Sequence, residues 1–474
     1  MTDQDSAARQ ASVSPITDTA YLDVLTEFLA HLQFEHLPGE VVERASWVYA
    51  DCLGAIAAGA QEAEMAALSR RLAGEAGRGP ASILGAGLTA PALTAAFLNG
   101  TAGTFLELDE GNQFARGHPG MHVVPALLAL SQQIRVTGRD LLTALVAGYE
   151  VAARIGIASK LRMSMHPHGT WGTVGAAVAV GKIMAYRPDQ LREIISLSTS
   201  LGLSTSRKTM LEGGTVRNTF AGVSNHMGLL AHHLIQAGFS GEADGLATVY
   251  GSVIAEDYQP GEMVADLGIR YEITRNYFKR HACCRYTHGT LDALEQIIRE
   301  LGRPLVPDEI DRVDVRSYSL AAQLADREPK NTLAGKFSIP FAVATTIASR
   351  SSGVASFRSD KINDPAIRAL ARRVTICEDE ALTALMPAFR PARVKVHLRD
   401  GTVLEGSTNV NRGDTEDPYG PGDLAEKFRE VVQPLLGETA TDALLLSCLK
   451  LAETENAGEL LAPFGAVQPF TSND

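Results

Sequence analysis

Between Tyr21 and about Ala255 the apolar residues recur every three or four positions almost without a break. That pattern commits about half of the chain to amphipathic helices. In Val41 to Ala58, for example, Val42, Ala45, Val48, Tyr49, Cys52 and Ile56 fall on one stripe. Similar stripes run through Leu141 to Ile157, Gly175 to Ala185 and Phe220 to Ala237. Glycine and alanine are frequent enough in these segments to let helix axes approach closely, as in a compact bundle.

The period changes near Tyr271. Ile310 to Tyr318 alternates through Val313 and Val315, and Arg393 to Leu398 places Val394, Val396 and Leu398 on one face. Asp400-Gly401 then reads as a two-residue type I′ turn into Val403-Leu404, giving a hairpin. Helices are expected over Thr287 to Leu301 and Phe337 to Ala348. After the Gly-, Asp- and Pro-rich loop Asn411 to Gly422, helical spacing returns in Leu424 to Leu436 and Thr439 to Leu451. The chain's 474 residues exceed one core of ~100–150. The expected organisation is mainly α: a large all-helical domain (18–270) completed by a C-terminal return (417–465), plus a smaller α+β domain (271–416).

Charge and composition narrow the function. A net charge of −12 with no basic run argues against nucleic-acid binding, which draws its affinity from Lys and Arg on phosphates. Five cysteines, two of them adjacent at Cys283 and Cys284, do not make a secreted disulfide scaffold, so a reducing cytosol is expected. No apolar run was expected to reach the ~18–20 residues of a membrane span. Met1 to Thr17 is polar without an apolar core, which reads as a disordered cytosolic leader.

Three segments concentrate polar chemistry within apolar surroundings. The first is Leu106-Glu107-Leu108-Asp109-Glu110-Gly111-Asn112, followed by His118-Pro119-Gly120 and His122. Carboxylates beside imidazoles shift each other's pKa and suit acid–base work, although helix-end acids with a surface histidine would look the same. The second is His166-Pro167-His168-Gly169-Thr170-Trp171-Gly172, leading into an Ala-rich helix. Its small-residue turn suits a carboxylate, while His-x-His alone lacks the further ligands a metal site needs.

The third segment, Lys279-Arg280-His281-Ala282-Cys283-Cys284-Arg285-Tyr286-Thr287-His288, opens the helix to Leu301. Cations at a helix N-terminus are unfavourable unless an anion binds there, so the segment points to an acidic substrate. A solvated interdomain hinge is the competing reading. The cysteine spacing does not fit an iron–sulfur cluster. Glu212-Gly213-Gly214-Thr215 lies between helices rather than in a phosphate-binding strand–turn–helix, and no Gly-x-Ser-x-Gly elbow occurs.

Together these segments resemble the MmgE/PrpD family. So do Asp51-Cys52-Leu53-Gly54, Asn99-Gly100-Thr101-Ala102, Lys336-Phe337-Ser338-Ile339-Pro340-Phe341, Arg412-Gly413-Asp414 and Asp417-Pro418. The resemblance implies a helical domain with an α+β lid, usually as a homodimer, and an active site between them that uses neither metal nor organic cofactor. It further implies that the lid carries Lys279 to Arg285 onto bound substrate, flexing near Asp266 to Ile269 and Asn411 to Gly422.

Carried over by motif, Glu107 stands where the family has its first aspartate and Asp109 where it has the second. His118 falls on the family's His-Pro, His166 on its pocket histidine and Lys279 on its lid lysine. Arg217 replaces a lysine, Phe220 a histidine, and Cys284 and Phe341 the histidine and tyrosine of the decarboxylase branch. The expected activity is a lyase, most directly a hydro-lyase of a small hydroxy di- or tricarboxylate such as a methylcitrate-like acid. Epimerisation, decarboxylation and non-catalytic carboxylate binding are the alternatives.

Under this reading the catalytic groups are Glu107, Asp109, His166 and Lys279, with His166 and Asp109 as acid and base tuned by Glu107. Substrate is bound by His118, His168, Arg217, Cys284, Arg285, His288 and Lys336. The expected partner is a small anionic carboxylate, with no nucleic acid and no membrane.

Overall fold

A computed structural model describes residues 19–466, so the N-terminal leader reading lies outside the described residues. The fold is mainly α, as the helical periodicity requires. Its core is a set of buried helices, Ala92–Phe105, Pro119–Ser131, Gly138–Ala158, Gly172–Ile183 and Phe220–Gln236, packed against one another. Small residues make that packing possible. A Cβ on Gly59 would sit 1.9 Å from the Ala102 carbonyl oxygen, so the helices Gly39–Gly59 and Ala92–Phe105 cross where only glycine fits. The C-terminal helices Pro421–Leu436 and Glu438–Leu449 pack back onto Gly39–Gly59, with Phe428 and Val431 against Gly54.

Gly138–Ala158 departs from the expectation about apolar length. Its 21 residues are long and apolar enough to cross a membrane by composition, yet 94% of its most apolar window is buried inside the protein. It carries Glu150 and Arg154 in the interior, 2.8 Å apart, and Arg154 also donates to the carbonyls of Glu262, Ala265 and Arg270. This helix is therefore the axle of the core.

The later region holds a four-stranded sheet in the order Val403–Thr408, Ala392–Leu398, Ile310–Ser317, Val374–Glu378. The first two pairings are antiparallel, and Ile310–Ser317 pairs in parallel with Val374–Glu378. The helix Arg285–Leu301 lies against the Ala392–Leu398 and Val403–Thr408 strands. The hairpin forms, but its turn is not type I′. Four residues, Arg399 to Thr402, connect the strands, and among them only Gly401 (φ +91°) has a positive φ. Asp400 does not take the positive φ that a type I′ turn needs, and its side chain accepts from the Thr402 N–H.

Two further expectations change. The helix expected from Phe337 to Ala348 begins two residues later, as Ile339–Ser349, because Ser338 caps it through the Phe341 N–H, and a separate short helix, Thr332–Lys336, precedes it. Short strands also interrupt the helical region. Among them Gly111–Asn112 pairs with Asn276–Tyr277, fastening the acidic segment to the stretch that ends at Lys279.

Arg154→Met tests the axle. It leaves the Glu150 carboxylate buried without its cation and three carbonyls without a donor, so unfolding stability should fall by roughly 3–5 kcal/mol. Urea denaturation measures it, and an unchanged midpoint would mean that the pair carries no such role.

Candidate functional site

The three polar segments meet at one cavity. Each arrives at an element end. Glu107 follows the helix Ala92–Phe105, His118 caps the helix Pro119–Ser131, and His166 and His168 precede the helix Gly172–Ile183. Arg217 sits in the 3₁₀ turn Thr215–Thr219, and Cys284 and Arg285 begin the helix Arg285–Leu301. Glu107, His118, His166, His168, Arg217, Cys284 and Arg285 all line the cavity.

The other four sequence candidates stand behind the cavity wall. Asp109 is buried against His118. Lys279 is fully buried, donates to the Glu107 carbonyl at 3.1 Å, and stands 3.6 Å and 3.9 Å from the Glu107 and Asp109 carboxylates. Lys336 donates to the Phe105 carbonyl at 2.8 Å, and His288 contacts Arg285 and the Cys283 carbonyl. Lys336 and His288 were expected to bind substrate, but their polar atoms are engaged with protein.

The cationic helix start is also dispersed. Lys279, Arg280 and His281 precede the helix. Arg280 turns outward to Glu426, and His281 is held by Ser352 and Asp292.

Charge balance explains this arrangement. Glu107, at φ +54° in a conformation few side chains adopt, is held by an ion pair with Arg217 and by Lys279. Burial alone would raise the Asp109 carboxyl, but His118, Lys279 and Arg217 together hold it below the usual carboxylate range. Asp109 therefore stays ionised behind His118.

The histidines divide by tautomer. His118 Nδ1 lies 2.6 Å from the Glu110 carbonyl and 3.0 Å from Asp109 Oδ2. Both neighbours are acceptors, so Nδ1 carries a hydrogen, and in the form that holds only this hydrogen Nε2 has a free lone pair. His166 is the reverse. Its Nδ1 accepts the His168 N–H at 3.1 Å, which leaves the proton on Nε2. Burial, with Arg217 and Arg207 nearby, pushes the His166 pKa well down, so the ring is neutral at physiological pH. His168 is lowered in the same way, and His122 is pushed down to about 3 by burial and His118.

Asp109 thus backs His118. The Cys284 thiol is pushed up to about 11, chiefly by burial, and is a neutral lining group.

Sequence reasoning missed Arg390, Arg207 and Arg116, which also line the cavity, together with Tyr277 and Tyr286. Arg390 lies in a loop just before the strand Ala392–Leu398, within no motif. Its only advance signal was an arginine among apolar neighbours, Ala388-Phe389-Arg390-Pro391.

The MmgE/PrpD N-terminal domain profile matches residues 23–255 and the C-terminal domain profile matches 281–451. The chain belongs to the MmgE/PrpD family. Cis-aconitate decarboxylase of Aspergillus terreus (strain NIH 2624 / FGSC A1156) is 23% identical to it, over 92% of this chain and 95% of the relative. The cis-aconitate decarboxylase-like protein oryM of Aspergillus oryzae is 22% identical over 92% and 96%. Cis-aconitate decarboxylase of Mus musculus is 25% identical over 78% of each chain.

A buried carboxyl behind the site offers a pH test. Burial, with Asp51 nearby, raises Glu110 from 4.5 to about 8 against the opposing donors Gly120, Tyr149 and Asn276. A raised carboxyl pKa favours the folded state fully below the unfolded value, and that contribution is lost as pH rises through the folded one. Glu110→Gln keeps the shape and removes the titration. The variant's melting temperature minus that of the parent should therefore grow from about pH 5 to about pH 8. A difference that does not vary with pH would show that Glu110 is ionised throughout.

Proposed function

We propose that this chain is a lyase that removes water from a small hydroxy di- or tricarboxylate. The observation that carries the reading is the pair of imidazoles on one arginine-rich cavity whose Nδ1 atoms are engaged in opposite senses, that of His118 by acceptors and that of His166 by a donor. His118 Nε2, backed by the ionised Asp109, takes the proton from the carbon beside a carboxylate. Negative charge builds on that carboxylate, and the arginines lining the cavity offset it. His166 Nε2–H donates to the departing hydroxyl, so the proton leaves with it as water. Glu107 orients Arg217 and is not itself the base, because its carboxylate is committed to Arg217 and Lys279.

Decarboxylation is the second reading, favoured by the names of the three relatives. There the carboxylate would leave as carbon dioxide, and a protein donor would protonate the carbon. Cys284 and Phe341 stand where the decarboxylase branch places a histidine and a tyrosine, so this chain lacks two polar groups that the resemblance assigns to that reaction.

A panel of hydroxy di- and tricarboxylates and their unsaturated counterparts separates the readings. Dehydration gives an ultraviolet-absorbing unsaturated acid without carbon dioxide, and decarboxylation releases carbon dioxide. On the active substrate, His118→Gln, Asp109→Asn and His166→Gln should each lower kcat ~10²–10⁴-fold with a smaller change in KM. Near-normal kcat in His118→Gln would remove the base assignment.

A further inference from the structure

The cations of the cavity fall into two groups. Arg217 is balanced by Glu107, and Arg285 by Asp414 at 2.6 Å. Arg390 has no carboxylate partner among the described residues, although its relative exposure is only 6%. One of its nitrogens, Nη2, donates to the Gln113 carbonyl at 3.2 Å, while Nε and Nη1 are buried without a partner. Arg207 at the same cavity also lacks a carboxylate, and its buried Nε and Nη2 are unpartnered. The two guanidinium groups stand 5.8 Å and 6.0 Å from the centre of one ring, Tyr286.

A buried, unbalanced guanidinium costs folding free energy, and its open donors suit a carboxylate. Arg217 and Arg285 each keep an unpartnered Nε too, but their charges are already balanced by protein carboxylates, whereas those of Arg390 and Arg207 are not balanced among the described residues.

We propose that Arg390, assisted by Arg207, is a specificity clamp for a substrate carboxylate remote from the reacting carbon. The substrate is then at least a dicarboxylate: one carboxylate activates the carbon facing His118, and a second seats on Arg390. The inference rests on the carboxylate-lyase reading and deepens it. Arg390 is a positioning and selectivity residue, and its contribution is separable from the proton transfers at His118 and His166. The Tyr286 ring lies beside both cations without filling their donors.

Binding of three unreactive probes to the full chain tests this by calorimetry. Tricarballylate, glutarate and butyrate form a series that loses one carboxylate at each step. The parent should bind glutarate roughly tenfold or more tighter than butyrate. Arg390→Gln should lose that preference while its butyrate affinity stays unchanged, and Arg207→Gln, at a half-exposed position, should weaken it in the same direction. The ligand-free melting temperature of Arg390→Gln should hold or rise, because an unbalanced buried charge has gone.

A fall in that temperature with the preference intact would make Arg390 a structural staple and overturn the clamp. So would a parent that binds glutarate no better than butyrate while still preferring tricarballylate. A parent that binds none of the three would sink the polycarboxylate reading itself, and the clamp with it.

Discussion

The site is organised by one buried carboxylate, Glu107, which two separate stretches of chain converge to neutralise. Its own backbone adopts the left-handed conformation, Arg217 reaches it from a 3₁₀ turn, and Lys279 reaches both its carboxylate and its carbonyl from beyond the strand Asn276–Tyr277. Removing these charges from water is costly, and buried ion pairs often stabilise no better than apolar residues of the same size. The return is geometric. The cluster fixes Arg217 beside His168, and Lys279 helps keep Asp109 ionised behind His118. The strand pair Gly111–Asn112 with Asn276–Tyr277 holds the acidic segment beside the lysine that balances it.

That electrostatic frame also fixes the protonation of the imidazoles. In water a histidine titrates near neutrality, but here burial and the surrounding guanidinium groups act in the same direction on His166 and His168 and keep both neutral. A neutral ring is either an acceptor or a donor at a given nitrogen, and the hydrogen bond on its far side decides which. The Glu110 carbonyl decides it for His118, and the His168 N–H decides it for His166. Two residues of identical chemistry thereby gain opposite roles through backbone groups alone.

Much of this was legible in the sequence, for physical reasons. Helical periodicity survives burial because an amphipathic stripe must face the core, so Gly39–Gly59 and Phe220–Gln236 lie where the pattern put them. The strand Val374–Glu378 was not legible, because it is short, only its first residue is buried, and its parallel partner is distant in sequence. The clustered polar segments gave away most of the cavity lining. They could not show that Asp109 contacts His118 rather than His166, since adjacency in sequence carries no distance. Nor could they show that Lys336 points to the Phe105 carbonyl. Arg390 left almost no trace, since a lone arginine in a loop becomes informative only when its burial and missing partner are seen.

The positive cavity and the neutral histidines are two sides of one coupling. The guanidinium groups that attract a carboxylate also depress the proton affinity of the rings beside them, which leaves His166 and His168 without charge. A bound polycarboxylate brings negative charge into the same enclosure and offsets those cations, so the proton affinity of the imidazoles rises on binding. Under the proposed lyase reading, the ionised Asp109 behind His118 stabilises the imidazolium that forms on proton transfer. Burial keeps water from screening either effect, so charge recognition and base strength depend on the same arginines.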